Sequence, residues 1–121
     1  MLVSAIVAAV IAAPAAFHEE HVLGTWEGSL ALPNGASLPL VVRIGQTDGG
    51  DITGELDSPA QGATGLPLSE ISMSSHVLRF RLAPVDGRFE GRMQDDDTIV
   101  GSWTQGGASL PLVLNRRRDQ G

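Results

Sequence analysis

The heptapeptide Gly35-Ala36-Ser37-Leu38-Pro39-Leu40-Val41 recurs residue for residue as Gly107-Ala108-Ser109-Leu110-Pro111-Leu112-Val113. Each copy follows a Gly-hydroxyl-Trp step, Gly24-Thr25-Trp26 before the first and Gly101-Ser102-Trp103 before the second, and these are the chain's two tryptophans. A chain of 121 residues therefore uses the same hairpin near each end. Matching terminal hairpins are what a closed β-barrel needs, because its first and last strands must pair with each other.

Working outward from the repeat, apolar and polar residues alternate from Leu23 onward, interrupted every eight to twelve residues by Gly, Pro, Asn or Asp. That is the pattern of an antiparallel meander. The first strand carries Trp26, Gly28, Leu30 and Leu32 on one face, and Pro33-Asn34-Gly35 turns the chain, since Asn-Gly accepts the positive φ of a tight hairpin. The second alternates Leu38, Leu40, Val42 and Ile44 against Pro39, Val41 and Arg43. Ile52, Gly54 and Leu56 line the third, and Ile71 and Met73 mark a less regular fourth over 66–73. Leu78, Phe80 and Leu82, then Phe89, Gly91 and Met93, then Ile99, Gly101 and Trp103, then Leu110, Leu112 and Leu114 complete the inward set.

The reading is an all-β, eight-stranded, antiparallel up-and-down barrel (calycin-like) over 23–116, with Trp26, Phe80, Phe89 and Trp103 in its interior. Strand glycines Gly28, Gly54, Gly91 and Gly101 fall on the apolar face, where a small barrel coils sharply or a bulky neighbour needs room. The repeated hairpins read as structural foundation, which directs the search for function elsewhere.

The barrel is preceded by an unbroken run of small and apolar residues, Leu2 to Ala13, then Pro14-Ala15-Ala16. Over 1–16 this reads as a secretory signal that lacks the usual basic start, followed by a linker over 17–22, with 117–121 as a C-terminal tail. It is too short for a lasting membrane span, so the expected location is periplasmic or secreted. The absence of cysteine excludes disulfides, thiolate nucleophiles and Cys-ligated metals. A net charge of −6 argues against nucleic acid as a partner. All eight basic residues are arginine, and the only run, Arg116-Arg117-Arg118, reads as a solvated tail after the last strand.

No catalytic constellation emerges, and the chain reads as a non-enzyme with no cofactor and no metal. Gly35-Ala36-Ser37 and Gly107-Ala108-Ser109 begin a nucleophile elbow, but Leu-Pro follows each and no helix is at hand. His18-Glu19-Glu20-His21 lacks the spacing of a zinc helix and reads as linker, and His76 reads as an exposed turn residue. Asp95-Asp96-Asp97 lacks the alternating ligands of a calcium loop and reads as a solvated turn. The segment from Asp57 to Gly65 has more polar content than a connection needs, so it is the candidate recognition loop. Asp57, Ser58 and Gln61 are its binding candidates, joined by Trp103 and Gln105 on the neighbouring rim.

Four stretches together carry a resemblance: Gly24-Thr25-Trp26-Glu27-Gly28, Leu38-Pro39-Leu40, Leu56-Asp57-Ser58-Pro59-Ala60-Gln61-Gly62-Ala63 and Gly101-Ser102-Trp103-Thr104-Gln105-Gly106-Gly107. They resemble a small β-domain of bacterial exported proteins that often precedes an α/β-hydrolase or a serine-hydrolase (β-lactamase-like) catalytic domain. The resemblance implies a non-catalytic accessory module whose partner is a secreted hydrolase; no hydrolase activity is carried over. More loosely, Gly24-x-Trp26 is similar to the opening of lipocalin-like and avidin-like barrels. That similarity implies a Trp closing the barrel floor near an Arg of the last strand, here Arg116, and a carrier of a small apolar ligand. Inhibition of a secreted hydrolase or protease is a third role open to such a barrel.

Overall fold

The computed structural model describes residues 19–118, so the signal segment, His18 and the last three residues of the tail lie outside the described part. Nine antiparallel strands follow in chain order: β1 (Gly24–Ala31), β2 (Ser37–Gln46), β3 (Ile52–Ser58), β4 (Ala63–Pro67), β5 (Ser69–Ser74), β6 (Val77–Leu82), β7 (Gly87–Asp95), β8 (Thr98–Gln105) and β9 (Ala108–Arg116). Their spatial order is β4-β3-β2-β1-β9-β8-β7-β6-β5, so the first and last strands pair and the sheet curls into a nearly closed barrel. Among the described residues no helix is long and apolar enough to cross a membrane.

Nine strands stand where eight were expected because the fourth is broken. Its first part pairs with β3 and its second with β6. Pro67 brings no N–H to a ladder, and Glu70 adopts a φ of 52°, so the chain bends between the two partners and the register shifts between Ser69 and Ser72. The seam is held by the Leu68 N–H, which donates to the Gly54 carbonyl at 2.9 Å. The expected long loop also shortens: Pro59–Gln61 forms a single 3-10 turn and β4 resumes at Ala63.

Alternation along each strand sends the anticipated apolar residues inward, and Trp26, Val42, Leu78, Ile99 and Leu114 are fully buried. Each large side chain contributes ~1.5–3 kcal/mol of burial before chain entropy is counted. Phe80 and Phe89 stack with centroids 5.1 Å apart, and Trp103 tilts against Phe80 at 6.4 Å. Gly91 and Gly101 face each other across β7 and β8. A Cβ on Gly101 would lie 2.3 Å from the Glu90 carbonyl oxygen, closer than backbone can accommodate.

The two ends of the barrel differ. The turns after β1, β3, β6 and β8 gather at one end, the mouth; the chain's entry, the end of β9 and the other turns gather at the opposite end, the floor. The hairpins β1–β2 and β8–β9 lie side by side, and both repeat strands, β2 and β9, start at the mouth. Their tryptophans do not match. Trp26 pairs with Val42, far from its turn, whereas Trp103 pairs with Leu110, close to its own. The cause is spacing, since Gly35 lies nine positions after Trp26 whereas Gly107 lies four after Trp103. Trp26 therefore closes the floor while Trp103 stands near the mouth.

The floor corrects two expectations at the termini. Glu19–Val22 is a 3-10 turn, and Val22 is fully buried, so the core begins inside the segment expected to be linker. The Trp26 indole N–H donates to the Val22 carbonyl at 2.9 Å. The Arg116 guanidinium lies 4.3 Å over the Trp26 ring, which is the contact anticipated between them. It also donates to the carbonyls of Leu23 at 2.7 Å, His21 at 2.5 Å and Asp96 at 2.9 Å. Arg117 pairs with Glu27, and Arg118 with Asp97 at 2.5 Å. Arg116 thus fastens the floor instead of trailing in solvent, while Arg117 and Arg118 are exposed as expected of a tail and make surface ion pairs, the second of them with Asp97.

Two outcomes follow from this packing, both measured by urea unfolding followed through tryptophan fluorescence. Gly101→Ala is expected to lower stability by about 3 kcal/mol, because the new methyl meets backbone. Arg116→Ala is expected to cost about 1–3 kcal/mol, through loss of the indole contact and of the bond to the partly buried Leu23 carbonyl, and Arg116→Lys to restore only part of it, because an ammonium cannot reach all three carbonyls while stacking on the indole.

Candidate functional site

The apolar lining is tightest at the floor and opens toward the mouth. Leu32, Leu38, Leu66 and Leu110 are only half-buried, although they occupy inward positions like their fully buried counterparts below. Between them lies a cavity of about 440 Å³, walled also by Leu30, Leu40, Leu56 and Trp103. Its rim is made by Ser58, Gln61, Val85, Gln105, Gly106 and Ala108. No charged side chain is among these residues. The space is a recess about half open to solvent, and an apolar hollow with a few polar groups at one side is a usual form of a small-molecule site.

Local sequence explains the shape. The inward leucines of both repeat strands, Leu38 and Leu40 on β2 and Leu110 on β9, line neighbouring parts of one wall on either side of β1, so the repeat builds the site as well as the frame. Trp103 is held against one side because its indole N–H donates to Gln105 Oε1 at 2.9 Å and its ring lies over Gly87. A Cβ on Gly87 would stand 2.3 Å from that ring, so any larger residue there would displace the tryptophan.

Of the sequence candidates, Ser58, Gln61, Trp103 and Gln105 converge on this cavity. Ser58 is the buried polar residue among them, 2% exposed, and its hydroxyl donates to Gln61 Oε1 at 2.6 Å. Asp57 points the other way, to the outer face. It accepts from Arg43 at 2.5 and 3.0 Å and from the Gly65 N–H at 2.7 Å, clamping the segment that carries Ser58 and Gln61. Trp26, Phe80 and Phe89 pack deeper in the interior and do not line the cavity, so any ligand space is the mouth half alone. Val85, Ala108 and Leu66 were not anticipated. Val85 sits in the turn joining β6 to β7, where no periodic pattern assigns a direction.

Elsewhere the surface offers less. A hollow of about 780 Å³ on the outer face of β5 to β8 is lined by Glu70, Arg79, Arg81, Arg88 and Glu90. Its charges pair largely with one another, Arg79 with Glu90 and Arg81 with Glu70, as an exposed, solvated sheet face does. Among the described residues no group of three or more His, Asp or Glu is placed to hold a metal ion. His76 is exposed in its turn with a φ of 68°.

The Arg43 hydrogen bonds, seconded by the Gly65 N–H, hold the Asp57 carboxyl down to about 2 from its ordinary 3.8. A depressed carboxylate adds stability above its unfolded value and loses it as pH falls through the folded one. Asp57→Asn is therefore expected to be less stable than the parent at pH 7, with the difference shrinking from about pH 4 downward and disappearing as the pH falls through about 2. Thermal unfolding of both proteins across that range checks it, and a difference independent of pH would refute the clamp.

No protein-family model matches the chain, and comparison with curated proteins and with solved structures finds no match.

Proposed function

We propose that this protein is an exported, non-catalytic barrel that carries a small apolar ligand in its mouth cavity. The observation that carries the reading is the division of the interior into a packed floor half and a hollow, leucine-lined mouth half of about 440 Å³. At the ~30 Å³ that a small group occupies in a liquid, the space suits on the order of fifteen heavy atoms, with room for part of a ligand to reach into the open mouth. The cavity is lined by no acid, base or histidine, and the Ser58 hydroxyl donates to an amide oxygen and has no base to activate it. That supports binding over catalysis. Export rests on the apolar run over 2–13 and its small-residue boundary.

A second reading, an accessory module that docks on a secreted hydrolase, draws on a different face. Val100 and Val113 pair across β8 and β9 on the outside of the barrel, 44% and 38% exposed, with Pro111 beside them and Pro39 on β2. Apolar side chains grouped on an outer sheet face favour a protein contact. Inhibition of a hydrolase has no such observation of its own.

Titration with the neutral dye N-phenyl-1-naphthylamine tests the carrier reading. The dye is expected to brighten and shift to the blue on binding the purified protein. Leu110→Glu, which places a carboxylate in the cavity wall, is expected to weaken binding at least about tenfold while the far-ultraviolet circular dichroism of the barrel is kept. A dye that does not bind, or binds the variant equally well, would overturn the proposal.

A further inference from the structure

The repeat has an outer side as well as an inner one. Its outward positions are Ser37, Pro39 and Val41 on β2 and Ser109, Pro111 and Val113 on β9. Between these strands lies β1, which sets the smaller Ser29 and Ala31 outward, paired with Pro39 and Ser37. Two bulkier rows thus flank a row of small residues, and a shallow hollow of about 680 Å³ lies between them. From Ser37 on β2 across to Val100 and Thr104 on β8, the outward positions in the mouth half of four strands carry no charge. The two charged residues lower on those strands are already paired, Glu27 with Arg117 and Arg43 with Asp57 and Glu55. On β6 and β7 the outward positions are instead mostly charged, among them Arg79, Arg81, Arg88, Glu90 and Arg92.

We infer that the uncharged face is the contact with a second copy of this chain, the Pro111–Val113 row of each copy seated against the Ser29–Ala31 row of the other. Row and trough lie side by side on one face, as a two-fold interface requires, since each copy must offer both halves of the contact. A chain of net charge −6 repels its like, and two copies meet at least cost where that charge is absent. The serine hydroxyls here both donate and accept, so they match a copy of themselves, whereas nothing on the face marks a partner of opposite charge. Four strands ~4.8 Å apart, over about 16 Å of their length, span on the order of 300 Å² in projection and roughly 500 Å² of accessible surface. Two copies together reach only the low end of specific interfaces, so the association is weak, with a dissociation constant of roughly 10–100 µM. The inference is independent of the carrier reading, because this face lies outside the barrel, and it gives the face of the accessory reading a different occupant.

Sedimentation velocity of the purified protein from about 5 to about 500 µM tests it. The mean mass is expected to rise from one chain toward two across that range. Added salt is expected to strengthen association about two- to threefold, because it screens the repulsion between copies. Val113→Arg on the row and Ser29→Asp in the trough are each expected to weaken association at least about tenfold, with the far-ultraviolet circular dichroism of the barrel kept. An equimolar mixture of the two variants is expected to associate better than either alone, because the new guanidinium of one copy meets the new carboxylate of the other. A chain that stays monomeric at about 500 µM, or a dimer that both variants leave intact, overturns the inference and leaves the face to another protein. Association that salt weakens, or a mixture no better than the single variants, overturns it as well.

Discussion

The structure depends on joining the two ends of the chain. A meander of short antiparallel strands has two unpaired edges, and each is a liability until it meets a partner. Here the paired register of β1 and β9 covers only Trp26 with Arg116 and Glu27 with Asn115, a short ladder for a closure. It is extended by the Arg117 N–H, which donates to the Thr25 carbonyl at 2.8 Å, and by the close approach of Gly28 to Val113. Arg116 compensates. One guanidinium lies on the Trp26 ring and donates to carbonyls before β1 and before β8, so the first strand, the last strand and the entering chain share a single point of attachment. Five donors in a rigid plane allow this, and no other side chain could serve the ring and all those carbonyls together.

A closed floor permits an open mouth. Because Val22, Trp26, Ile99 and Leu114 fill the lower barrel without solvent access, enough apolar surface is buried there for the upper leucines to remain only half-covered. The mouth turns meanwhile use backbone forms that need little side-chain packing. Pro59–Gln61 and Ala83–Val85 are single 3-10 turns, each ended by a residue with positive φ, Gly62 and Asp86. Asp57 fastens the first of these from outside, and the Ser58–Gln61 hydrogen bond ties it from the cavity side. The clamp and the lining are adjacent in sequence and opposite in direction because a strand alternates its faces.

Alternation is also why most of the architecture was legible. Period two decides which residues face inward, and the inward lists from Trp26 to Leu114 follow from it without tertiary information. What escaped were features that period does not encode. The break at Leu68 depends on one proline and one residue of positive φ, and both lie in a stretch whose pattern is already weak. Arg116 reads as part of a charged tail because three arginines in a row look like a solvated run; only the closure brings Trp26 beneath one of them. Val22 reads as linker since a single apolar residue before a strand has no period at all. In the candidate site, Ser58, Gln61 and Gln105 were found as unexplained polarity, whereas the cavity they border is a property of volume that no residue announces.

The repeat itself takes on a different meaning. Copies related by a two-fold would set the tryptophans as mutual counterparts; the strand order instead runs β2-β1-β9-β8, so one hairpin follows the other around the barrel. What is conserved between them is the strand that begins at the mouth, with Leu38 and Leu40 matched by Leu110 and Leu112 inside and Pro39 by Pro111 outside. The tryptophans slid to opposite ends with the difference in turn spacing, and that displacement divides the interior. A second tryptophan at the floor would leave the mouth to leucines alone; a second at the mouth would leave Arg116 nothing to stack on. With one at each end, Trp26 makes the barrel closed and Trp103, tied to Gln105 over Gly87, gives the remaining space a polar side. The same seven residues, used twice, supply walls for a cavity whose chemistry is set by the residues in which the two copies differ.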